Sequence, residues 1–118
     1  MARFISFKKK YAEKLMAGEK TVTIRLSGFF RENEIYDVRV GWFNPPVCRI
    51  KIIKKTRKLF YQITQREIEA LGFKTLSELK EAVRECYGII PPPNLSVWIY
   101  NFEIMPNSLK LGGEKKKC

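Results

Sequence analysis

The chain has 118 residues, enough for one compact core and too few for two, and its 45% hydrophobic and 30% charged content is that of a folded globular domain. It carries 23 Lys and Arg against 12 Asp and Glu, a net charge of +11, and no His. That balance favours polyanionic partners, nucleic acid before lipid, and the absence of His removes the usual general base and the commonest metal ligand.

The opening stretch ARFISF reads as a strand. It lacks the long apolar run of a secretory signal, and no apolar segment approaches the roughly 20 residues of a membrane helix, so a cytoplasmic protein is expected. KKKYAEKLMAG follows as a helix, with Phe7, Tyr11 and Leu15 recurring every four residues and Gly18 as its stop. TVTIRL then alternates: Val22, Ile24 and Leu26 on one face, Thr21, Thr23 and Arg25 on the other. SGFFRENE is a loop whose Phe29 and Phe30 either cover a ligand or divide between core and solvent.

IYDVRVGWF alternates again, and NPP forces a turn. VCRIKIIKKTRKLF is a long strand with Cys48, Ile50 and Ile52 inward and Arg49 and Lys51 outward. Thr64 with Glu67, and Thr75 with Glu78, predict two capped helices, the first with Ile63 and Ile68 as a hydrophobic staple. The apolar face of the second is Leu76, Leu79, Val83, Cys86 and Tyr87. IIPPPN is an extended connector, and LSVWIYNFEI, apolar on both faces, is a central strand. The fold expected is α+β: a small, curled, mostly antiparallel β-barrel with flanking helices over residues 1–105, followed by a basic disordered tail at 106–118.

Cys48, Cys86 and Cys118 form no C-x-x-C pair, so neither a zinc site nor a disulfide framework is expected, nor any cofactor. Cys48 and Cys86 read as core residues and Cys118 as an exposed terminal one. Sparse Asn and Gln beside abundant Lys, Glu and Ile lean toward a heat-loving source.

Chemistry concentrates at the first helix-to-strand joint, G-x-K-x-x-T-x-R from Gly18 to Arg25. Lys20 offers a mobile point charge, Arg25 a planar fork for phosphate or a carbonyl edge, and Thr23 a hydroxyl. Strict alternation puts Lys20 and Thr23 on opposite faces, so they converge only if Lys20 lies in the turn before the strand. The bland alternative is a solvated strand edge. Arg49, Lys51, Lys54, Lys55, Arg57 and Lys58 crowd the long strand, and Lys8, Lys9, Lys10 and Lys14 the first helix. As groups they suit phosphates. Trp42 and Trp98 read as core; with Phe43 and Tyr100 they are the other candidates for base stacking.

The motif resembles the signature of the ASCH domain family, of the PUA-like superfold. YDVRVGWF, ITQREIEALGFKTLSELKEAVRECYG and VWIYNFE resemble its later segments in order, so the similarity spans about Ala2 to Glu103. The resemblance implies a barrel with a cleft floored by the motif, in which RNA or nucleotides bind. It also implies, for some members, amide hydrolysis of acylated cytidine by a lysine, a threonine and a glutamate. The lysine falls on Lys20 and the threonine on Thr23, but the glutamate's position, before the Gly-Phe pair, is Leu71. Glu69 would point about 200° away on a helix of ~3.6 residues per turn.

The leading expectation is therefore an RNA- or nucleotide-binding module, with Gly18, Lys20, Thr23 and Arg25 in the cleft and Arg49, Lys51, Lys54 and Arg57 on phosphates. The alternative is a nucleoside amidohydrolase or ribonuclease using Lys20 and Thr23, with Glu67 and Glu69 the nearby acids. A protein-interaction adaptor is the third reading.

Overall fold

In the computed structural model the described residues are 4–19, 21–41 and 44–105. Lys20, Trp42, Phe43 and the tail 106–118 with Cys118 lie outside them, as do the first residues of the expected opening strand. The elements are β1 (Phe4–Phe7), α1 (Lys9–Met16), β2 (Val22–Arg25), β3 (Ile35–Val40), β4 (Cys48–Leu59), a 3₁₀ turn (Phe60–Gln62), α2 (Gln65–Ala70), α3 (Leu76–Tyr87) and β5 (Ser96–Ile104). Among the described residues no helix is long and apolar enough to cross a membrane.

The five strands form one mixed sheet in the order β1-β3-β4-β5-β2. β1 runs parallel to β3 and the other neighbours are antiparallel. The expected α+β class holds, but the barrel does not close: β1 and β2 are the two edges, with no ladder between them among the described residues. The sheet nonetheless curls until these edges meet, because Arg25 on β2 donates through Nη2 to the Ser6 carbonyl on β1 at 2.8 Å.

Two cores form. Ile5, Phe7, Val38, Cys48, Ile50, Ile52, Tyr100 and Phe102 pack with Ala12 and Leu15 of α1. On the other side, Val22, Val97 and Ile99 pack with Ile68, Leu71, Leu79 and Val83 of the later helices. Phe7 belongs to β1 rather than to the first helix, whose buried residues are Ala12 and Leu15. Gly18, at φ +79°, ends the α1 segment in the left-handed conformation that side chains avoid. Thr64 and Glu67 form the expected capping box, and Ile63 and Ile68 are both buried beside it. At α3 only half of that device appears: Thr75 accepts from the Glu78 N–H, while the Glu78 carboxylate accepts from Lys74 N instead.

β5 lies inside the sheet as its two apolar faces predict. In β4 the register against β5 slips between Ile52 and Lys54, leaving Ile53 as an extra, exposed residue. Lys55 and Arg57 therefore share a face with Ile50 and Ile52, while Arg49, Lys51 and Lys54 lie on the other. Lys55 donates to the Gly28 carbonyl at 2.6 Å and stands 4.8 Å over the Trp98 ring. Trp98 is half-buried against the first core. A Cβ on Gly28 would lie 2.6 Å from Trp98 Cε2, a rigid aromatic edge. Gly28→Ala is thus expected to destabilise the fold by about 1–3 kcal/mol, read as a lowered urea midpoint. An unchanged midpoint would contradict this packing.

A candidate active-site cleft at the open seam

The meeting of β1 and β2 leaves a cleft of about 530 Å³. Ser6, Phe7 and Lys8 form one side, Thr23, Ile24 and Arg25 the other, with Val40 and Gly41 at the end of β3. Its wall is apolar: Tyr11, Phe73, Leu79, Ala82, Val83, Cys86 and Tyr87. Two contacts tie α3 and the loop before it to the start of α1. Tyr11 packs edge-on to Phe73 with ring centroids 6.0 Å apart, and Lys8 Nζ donates to the Glu85 carbonyl at 3.3 Å. No Asp or Glu is among the described residues lining the cleft.

Thr23 is buried, at 4% exposure, and its Oγ1 accepts from Arg25 Nε at 3.3 Å. Since that oxygen accepts from a cation, its own proton is directed elsewhere. Arg25 lies 4.8 Å over the Phe7 ring, and burial holds its pKa below the ordinary arginine value. One guanidinium thus spans the seam and orients the buried hydroxyl. The planar fork lets two nitrogens of one side chain serve these two acceptors in fixed directions.

The predicted residues fall into three groups. Thr23 and Arg25 share the cleft, as the alternation of TVTIRL indicates. Gly18 serves the backbone at the helix stop, with open space around its Cα. Arg49, Lys51, Lys54 and Arg57 are absent from the cleft lining, and β4 is the middle strand, two places from either edge. Arg49 pairs with Asp37 at 3.0 Å and Arg57 donates to Ser96 Oγ at 2.8 Å. Lys20 lies outside the described residues; β2 begins at Val22, two positions later.

The acids named from sequence serve the fold. Burial alone would raise the Glu67 carboxyl, but hydrogen bonds from Lys58 and Thr64 outweigh it and hold the group below its ordinary value. Glu69 accepts from Gln65 Nε2 at 3.2 Å. Leu71, 1% exposed, packs in the second core behind the wall. Phe30 tucks against Tyr36 and Tyr100, with centroids 5.0 and 5.5 Å away, while Phe29 is 69% exposed.

Cys86 and Tyr87 were missed as site residues. Their helical spacing with Leu79 and Val83 reads as core, yet both are exposed and line the cleft. The apolar face of α3 is simply wider than the core it covers, and a stripe wider than its partner is the signal that could have found them.

The curled five-stranded α+β sheet has the fold of an ASCH domain. It superposes on the ASCH domain from Lactobacillus crispatus with a TM-score of 0.69, at 18% identity, over 86% of this chain and 76% of that one. ASCH from Zymomonas mobilis gives 0.66 at 11% identity, over 93% and 77%. In sequence, the N(4)-acetylcytidine amidohydrolase of Haemophilus influenzae (strain Rd) is 30% identical over 120 aligned positions, 97% of this chain and 86% of its own. That of Serratia proteamaculans is 28% identical over 89, covering 74% and 86%. No family model matches the chain. The chain belongs to the ASCH domain family.

The two buried-or-exposed thiols check the wall directly. Burial raises Cys48 to about 11, making it inert, whereas Cys86 opens to the cleft. In a Cys118→Ser background, a disulfide reagent should label Cys86 and spare Cys48, as read by peptide mass. Equal labelling of both would contradict the placement.

Proposed function

We propose that the chain is an amidohydrolase that removes the acyl group from the exocyclic amine of an N4-acylated cytidine. The observation that carries this reading is the buried Thr23 hydroxyl, fixed by Arg25 Nε at 3.3 Å on the floor of a largely apolar cleft. The N(4)-acetylcytidine amidohydrolase of Haemophilus influenzae, similar along 97% of the chain, supports the same chemistry. The apolar wall suits a pyrimidine face and a short acyl group, with Tyr87 at its end for stacking.

In this reading Thr23 Oγ1 attacks the acyl carbon. A threonine hydroxyl needs a base, and Lys20, three residues before it, is the one the motif offers. The Oγ1–C bond forms, the C–N4 bond breaks, and the proton taken from Thr23 passes from Lys20 to the departing amine. Water then attacks the acyl-threonine ester, giving the carboxylate and restoring the hydroxyl. With Leu71 where a carboxylate would help, Lys20 carries both proton transfers.

The absence of acids from the described lining favours a second reading: a module that binds a nucleoside or nucleotide without turning it over. RNA gripped along β4 would sit away from the seam, so that basic strand is best read as a separate phosphate-binding surface.

Incubation with N4-acetylcytidine, followed by chromatography, should yield cytidine and acetate in equal amounts. Thr23→Val should reduce kcat about 10³-fold or more, while Thr23→Ser retains part of the activity. Binding without any turnover would replace hydrolysis by the binding reading.

A further inference from the structure

The open edge of β2 carries backbone groups that the mechanism above does not use. Their direction follows from one hydrogen bond: Phe102 N–H donates to the Thr21 carbonyl at 2.9 Å. Thr21 and Phe102 are opposite one another in the antiparallel register that pairs Val22 with Asn101 and Thr23 with Tyr100. Bonded and outward-facing pairs alternate in such a ladder. The backbone groups of Thr23 and Arg25 therefore turn to β5, and those of Val22 and Ile24 turn away from it, into the seam.

A bare strand edge is ordinarily covered or paired. Here β1 lies across the seam, and no backbone bond between β1 and β2 occurs among the described residues. The contact that crosses comes from the Arg25 side chain, to the Ser6 carbonyl. Val22 is buried in the second core and does not line the cleft, whereas Ile24 does. The Ile24 N–H thus sits on the cleft edge, on the residue directly after Thr23.

We infer that the Ile24 backbone N–H is the oxyanion donor of the acyl-transfer step, an inference that rests on the amidohydrolase reading. As Thr23 Oγ1 bonds to the acyl carbon, the carbonyl pair moves onto oxygen, and this developing charge accepts the Ile24 N–H. Collapse returns the pair, breaks the C–N4 bond and sends the amine away with the proton held by the base. An N–H fixed in a strand needs no reorganisation when the charge appears. A donor on the residue after a nucleophile is a recurring solution to acyl transfer on other folds. Arg25 is less suited to that place, because its Nε and Nη2 already serve Thr23 and Ser6.

The test replaces single amides by esters, which removes one N–H and keeps the side chain. The ester at Ile24 should lower kcat on N4-acetylcytidine by about 10²–10³-fold with KM little changed. The ester at Val22, on the same edge but outside the cleft, should keep wild-type kcat. An Ile24 ester with wild-type kcat, or equal losses at both positions, would overturn the assignment. So would an Ile24 ester that melts far below the Val22 ester, since its N–H would then belong to a ladder. Absence of turnover in the unmodified chain would instead remove the amidohydrolase reading, and this assignment with it.

Discussion

The reach of Arg25 across the seam is the contact on which the site depends. Among the described residues no backbone hydrogen bond joins β2 to β1, its opposite edge. The guanidinium replaces a backbone ladder with a side-chain bridge, and a bridge leaves room where a ladder would not. The cleft, the buried Thr23 hydroxyl and the unpaired edge of β2 all lie in that room. Burial is tolerated because each contact of the cation is a charge-assisted hydrogen bond or an aromatic face, at Thr23, Ser6 and Phe7.

Much of this was legible in the sequence because it is local. Gly18 ends a helix for a backbone reason, TVTIRL alternates, Thr64 and Glu67 cap α2, and β5 is central because both its faces are apolar. Thr23 and Arg25 share a face by strand period alone. The failure to close was not legible, since it depends on how two edges four strands apart in the sheet happen to meet. Nor was the slip at Ile53, which moves Arg57 and Lys55 to the other face of β4 and breaks up what reads as one basic row. Cys86 and Tyr87 were misread for a related reason: spacing tells which way a side chain points, not whether a partner is there to cover it.

The family likeness and the physics bear differently on Leu71. A carboxylate there would face the apolar cluster of Ile68, Leu79 and Val83, behind the cleft wall, unless it reached forward to the seam. With leucine the cluster behind the wall stays apolar throughout. Burial of the Arg25 guanidinium strengthens its contact with the Thr23 hydroxyl.

The central claim is that ligand enters the seam and not the basic face of β4. A titration of the ¹⁵N-labelled chain with N4-acetylcytidine, followed by amide chemical shifts, separates the two. Shifts centred on Ser6, Ile24, Arg25, Cys86 and Tyr87 are predicted, with Arg49, Lys51 and Lys54 unmoved. Shifts confined to β4, with the seam residues silent, would contradict the account.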